Sequence, residues 1–142
     1  MSTLKFQAGP WSDLLAKIQS NGSESLAQGK KFVFLYVCAN WSMPCRKMET
    51  DTLSDQLVAD FFNANFLNIR ILMGIIPEAD TRKKLNEALH INVDTYPLCL
   101  FLDHQGKVLH QVVGDLAPID LINEAKTALS SEINNHLLGV LK

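Results

Sequence analysis

Cys45 stands directly after Pro44 in the segment Trp41-Ser42-Met43-Pro44-Cys45. An apolar run ends just before this segment, and Arg46-Lys47-Met48-Glu49 opens a helical pattern just after it. A helix N-terminus carries unpaired N–H groups and a partial positive charge, which favour a thiolate over a thiol. A cysteine placed there is suited to thiol–disulfide exchange, whereas the plain alternative is a buried helix cysteine. Ser42 puts a hydroxyl in the same turn, but serine becomes nucleophilic only beside a strong base, and the neighbouring sequence holds none. It lacks a Gly-x-Ser-x-Gly context as well, so hydrolase chemistry is not indicated. Ser42 and Cys45 cannot be joined as a disulfide.

The other two cysteines, Cys38 and Cys99, lie within apolar runs, where a free cysteine packs as a small hydrophobe. For Cys38, close before the motif, the functional alternative is pairing with Cys45, which depends on Cα atoms lying within about 7 Å. Three cysteines are too few, and odd in number, for a disulfide-stapled scaffold. His90, His104, His110 and His136 show no ligand spacing. Neither a metal nor a cofactor is expected.

The elements that must position these residues follow from periodicity. Phe32 to Ala39 is a continuous aromatic and β-branched run, the pattern of a strand covered on both faces. Residues 40–44 read as a loop, Cys45 begins a helix, and Pro44 suits its first turn. Ser54 is a candidate cap for a further helix with Leu57, Val58, Phe61 and Phe62 on its buried side. Phe66 to Leu72 predicts a second central strand. Glu78 to His90 predicts a helix with Leu85, Ala88 and Leu89 inward. Leu98 to Leu102 follows Tyr96-Pro97 as a third strand, and Asp103 to Gly106 turns the chain into a hairpin partner over Lys107 to Val113. A last helix carries Ile122, Ala125, Leu129 and Ile133 on one face. Before all these, Lys5 to Ala8 is a weak edge strand or a lead-in, Trp11, Leu14, Leu15 and Ile18 mark a helix, and Asn21 to Lys30 is a loop. The order β-α-β-α-β-α-β-β-α implies an α/β fold with a central mixed sheet flanked by helices on both faces.

The 142 residues are 47% apolar and 20% charged, enough for one domain spanning 1–142, with a core over about 6–130 and a short C-terminal helical extension. With 13 Lys and Arg against 15 Asp and Glu, the formal charge of −2 argues against nucleic-acid binding. No apolar run reaches the ~18–20 residues of a membrane span. A monomer is expected.

Trp41, Pro44, Cys45 and the succeeding Arg46-Lys47-Met48 resemble the signature of the thioredoxin superfamily, a Trp followed by Cys-x-x-Cys at the start of a helix after a central strand. Tyr96-Pro97 is similar to the family's cis-proline, and Gly106-Lys107-Val108 and Gly114 also fall where the family pattern has them. The resemblance runs from about Phe6 to Leu129. It is nearest to small bacterial thioredoxin-like or disulfide-isomerase-like domains whose motif helix reads Cys-Lys-Lys-Met-Glu. The fold it implies is the thioredoxin fold. The activity it implies is thiol–disulfide oxidoreduction or isomerisation, with protein disulfides or dithiols as substrates and a redox partner protein. In such a domain position 42 holds the attacking thiolate, Cys45 resolves the mixed disulfide, and Trp41, Met43, Pro44, Tyr96 and Pro97 line the substrate contact.

Two departures matter. The first motif cysteine is Ser42, so the chain as written cannot run the dithiol cycle through this motif. Either a cysteine has been replaced, or the serine is natural in a member with lost or altered redox activity. Thioredoxins also carry a buried acid in the central strand where this chain has Tyr36, and Arg70 falls in the region of the family's strand lysine. The alternative from another class is a redox-inactive binding or chaperone-like module of the same fold. The resemblance implies a periplasmic or exported location as a trimmed mature form, with a cytoplasmic protein as the alternative.

Overall fold

The structure, a computed structural model, describes residues 4–6, 32–74, 78–103 and 106–141. The expected helix from Trp11, the loop Asn21 to Lys30, and the turn residues His104 and Gln105 lie outside the described residues.

The run from Phe32 forms strand β1 (Phe32–Ala39), buried from Val33 onward. Continuous apolar character has its cause here, because both faces of β1 are covered. Helices α1 (Met43–Asp51) and α2 (Gln56–Asn65) follow, then β2 (Phe66–Met73), α3 (Glu78–Leu89), β3 (Leu98–Leu102), β4 (Val108–Val113) and α4 (Pro118–Leu141). The sheet order is β2-β1-β3-β4. The β1–β2 pair is parallel and joined through α1 and α2, whereas β3 runs antiparallel to both β1 and β4. The sheet is therefore mixed, with β1 in its interior.

One core cluster holds the fold together. Phe34 of β1 packs edge-on against Phe62 of α2 at 4.6 Å and stacks with Phe101 of β3 at 5.3 Å between ring centroids. Phe66 stacks on Phe62 at 5.1 Å. On the same face, His110 of β4 lies against Glu124 of α4 and stacks on Phe101. α2 and α4 thus cover one face. Val33, Leu35, Val37, Leu98, Leu100 and Leu102 alternate onto the other and are equally buried. Among the described side chains of α3, Leu85 and Leu89 are buried.

Several local expectations change. Lys5 and Phe6 are not in a strand; the Lys5 amide donates to Asn63 Oδ1 at 3.0 Å, and Phe6 stacks on Tyr36. α1 begins at Met43 rather than Cys45, because Ser42 already caps it. α2 is capped by Asp55, not Ser54: the Asp55 carboxylate accepts from the amides of Leu57 and Val58 at 2.9 and 3.2 Å. The buried side of α2 is Val58, Ala59 and Phe62, which leaves Leu57 outward at 70% exposure. Phe61 is only partly buried. α3 ends at Leu89, with His90 in the left-handed region at φ 57°, and Ala88 faces solvent. β2 extends to Met73, and β4 starts at Val108, where an irregularity in pairing falls between Phe101 and Leu102. In α4, Ile122 and Ala125 are buried and Leu129 is partly so, while the side chain of Ile133 lies outside those described.

Candidate functional site

The strand register brings two distant stretches together. Val37 near the C-terminal end of β1 pairs with Leu98 at the start of β3. The segment leaving β1 at Ala39 and the Tyr96-Pro97 segment entering β3 must therefore lie side by side. The Tyr96–Pro97 peptide bond is cis. The Pro97 carbonyl accepts from the Gly114 amide at 2.8 Å, and Gly114 has φ 99°, which glycine adopts freely.

Beyond β1 the chain turns sharply. The Asn40 amide donates to Met73 O at 3.2 Å and the Ser42 amide to Ala39 O at 3.1 Å. Ser42 takes extended backbone angles, and its Oγ accepts from the Cys45 amide at 3.3 Å, satisfying one of the unpaired N–H groups at the start of α1. Pro44 falls in the first turn, where no N–H is needed. Arg46 ties the turn from outside, its guanidinium donating to Asn40 O at 3.2 Å.

The seven residues singled out from the sequence occupy this junction in different ways. Ser42 is 6% exposed and Cys45 1%. Trp41 is 57% exposed, yet its ring meets Tyr96 edge-on at 5.6 Å, bridging the two segments. Met43 is 67% exposed and Pro44 is also at the surface, whereas Tyr96 and Pro97 are buried. The result is a small polar centre, Ser42 above Cys45, flanked by exposed apolar side chains.

Beneath it lies a buried layer. The Cys45 Sγ accepts from the Ala39 amide at 3.4 Å, and the Tyr36 hydroxyl donates to the Cys45 carbonyl at 3.4 Å. Burial, reinforced by the thiols of Cys38 and Cys45, pushes the Tyr36 hydroxyl far above its ordinary range. It is a fixed donor to the backbone and cannot take a proton. Burial likewise drives Cys99 well upward. Cys38 is pushed up to about 11, burial outweighing the opposing hydrogen bond and charge of Arg70.

Arg70 sits opposite Tyr36 in the parallel register and pairs with Glu49 of α1. From the sequence Glu49 reads only as part of the helix and not as a partner of Arg70. Its only signal is its place one helical turn after Cys45, a spacing that means little until α1 is laid against β2. The Arg70 Nε is buried without a hydrogen-bond partner among the described residues. Lys47 reaches Asp115 at 3.7 Å, an exposed pair that links α1 to the segment before α4. Among the described residues no group of three metal-ligating side chains gathers.

Residues 16–123 match the Thioredox_DsbH family, described as "Protein of unknown function, DUF255". The chain belongs to this DsbH-type family of the thioredoxin superfamily. Solved structures agree on the fold. A putative disulphide-isomerase from Bacteroides thetaiotaomicron is 24% identical with a TM-score of 0.64, covering 90% of this chain and 94% of that one. A DsbH oxidoreductase is 17% identical with a TM-score of 0.65, covering 91% and 88% respectively. The oxidised C-terminal domain of DsbD from Neisseria meningitidis is 18% identical with a TM-score of 0.64, covering 87% and 99%. No curated protein sequence matches significantly. The DsbH-type chain therefore has an α/β thioredoxin fold, the fold of thiol–disulfide oxidoreductases. No helix among the described residues is long and apolar enough to cross a membrane.

Proposed function

We propose that this DsbH-type chain is a thiol–disulfide oxidoreductase or isomerase domain in which Ser42 occupies the attacking position. The observation that carries this reading is the cap of α1. The position-42 side chain sits at the helix N-terminus, accepts the Cys45 amide at 3.3 Å, and lies beside the loop that ends in Pro97. A sulfur at position 42 would accept the same N–H and feel the same partial charge, both favouring the thiolate. Its attack on a substrate disulfide would give a mixed disulfide and release one substrate thiolate. Cys45, one helical turn along, would then attack the position-42 sulfur, closing the motif disulfide and releasing the second thiol. Trp41, Met43 and Pro44 on one side, with Tyr96 and Pro97 on the other, would hold an extended substrate segment. We assign the activity to an exported, periplasmic setting, where protein disulfides are available as substrates.

With Ser42 in place the cycle stops at its first step. Binding by the apolar rim is then the activity left, and the high exposure of Trp41 and Met43 favours this second reading for the chain as it stands. A paired insulin-reduction assay with dithiothreitol separates the two. Ser42→Cys should accelerate precipitation of the reduced B chain, and adding Cys45→Ala should abolish the gain. No acceleration in the Ser42→Cys protein would overturn the oxidoreductase reading and leave the binding module.

A further inference from the structure

The Cys45 sulfur has a neighbour other than position 42. It lies 3.4 Å from the amide nitrogen of Ala39, the atom bonded to the carbonyl carbon of Cys38. Standard backbone dimensions put that nitrogen about 2.4 Å from the Cys38 Cα, so the Cys45 sulfur is within about 6 Å of that Cα. Cys38 shares the sheet face of Tyr36, whose hydroxyl bonds the Cys45 carbonyl, so the Cys38 side chain is directed to the side on which α1 lies. Both cysteines are free, and both are buried.

We propose that Cys38 and Cys45 form a second dithiol pair, able to close an internal disulfide that does not involve position 42. The step balances with a small disulfide such as glutathione disulfide as oxidant. The Cys45 thiolate attacks one glutathione sulfur and forms a mixed disulfide, releasing a glutathione thiolate that takes up a proton. The Cys38 thiolate then attacks the Cys45 sulfur, forming the Cys38–Cys45 bond and releasing the second glutathione. Cys38 and Cys45 are oxidised by two electrons, and glutathione disulfide is reduced to two thiols. Cys45 goes first because it lies at the end of α1, behind Ser42, whereas Cys38 lies deeper in β1. Burial holds Cys38 as the thiol, pushed up to about 11 despite the opposing charge of Arg70, so its deprotonation further slows the second step. With Cys45 only 1% exposed, the reaction proceeds through local opening of the α1 N-terminus and is slow.

The sequence makes the test direct, because trypsin cuts after Lys31 and Arg46 and releases both cysteines in one peptide, residues 32–46. The unaltered chain is incubated with glutathione disulfide in native buffer, its remaining thiols are blocked with N-ethylmaleimide, and the digest is weighed. The expected result is peptide 32–46 lighter by two hydrogens and unblocked, with Cys99 blocked. Cys38→Ser should stop the reaction at the mixed disulfide, adding one glutathione to that peptide. A bond to Cys99, a mixed disulfide that persists in the unaltered chain, or closure only after unfolding in urea would each overturn the proposal. The experiment leaves position 42 as serine, so its failure and the failure of the proposed function are separate results.

Discussion

Cys38 is held by opposing forces that make a prediction of their own. Burial raises its thiol from 9.0 to about 11, although Arg70 pulls the other way. The folded chain therefore favours the protonated thiol more strongly than the unfolded chain does. Its contribution is fully present below pH 9 and is lost as pH rises toward about 11, a loss of about 3 kcal/mol. Urea unfolding of the unaltered chain and Cys38→Ala across that window should show a shallower alkaline decline in the variant. Parallel profiles would mean that Cys38 does not titrate with the fold. At this scale the local turn was legible, because Pro44 in the first helical turn and Cys45 near the helix start follow from local spacing. The Glu49–Arg70 pair was not, since it depends on a helix meeting a strand.

The elements show where local patterning stops being decisive. β1 and β3 could be read from their sequence because interior strands must be apolar on both faces, and no other short element demands this. At the junction between α1 and α2 the cap expected from the sequence is Ser54, whereas its neighbour Asp55, of the same capping class, holds that place. The Ser54 hydroxyl donates back to the Thr50 carbonyl, the Asp55 amide donates to the Thr52 carbonyl at 3.1 Å, and the Thr52 hydroxyl bonds the Leu116 carbonyl before α4. That contact joins residues far apart in sequence, so no local reading could supply it. Asp55→Ala should cost about 1 kcal/mol in chemical denaturation, whereas the exposed Ser54→Ala should stay within about 0.5 kcal/mol. Equal losses would indicate that the two residues share the cap. The Lys5–Phe6 segment teaches the same lesson, since an Asn63 side chain takes the amide that a neighbouring strand would have taken.

For the whole molecule, alternation of strands and helices was enough to indicate a mixed sheet, because few topologies bury such a pattern. What the chain alone could not supply is the adjacency of Val37 and Leu98, which sets the Ser42 turn beside Pro97 and makes one site of two segments. The central claim is that position 42 is where substrate sulfur is attacked, and covalent trapping tests it most directly. The Ser42→Cys, Cys45→Ala protein, mixed with insulin, should accumulate a stable mixed disulfide mapped to position 42. The protein carrying Cys45→Ala alone should form none there. An adduct found instead at Cys38 or Cys99, or no adduct from a protein whose circular dichroism is unchanged, would contradict the account.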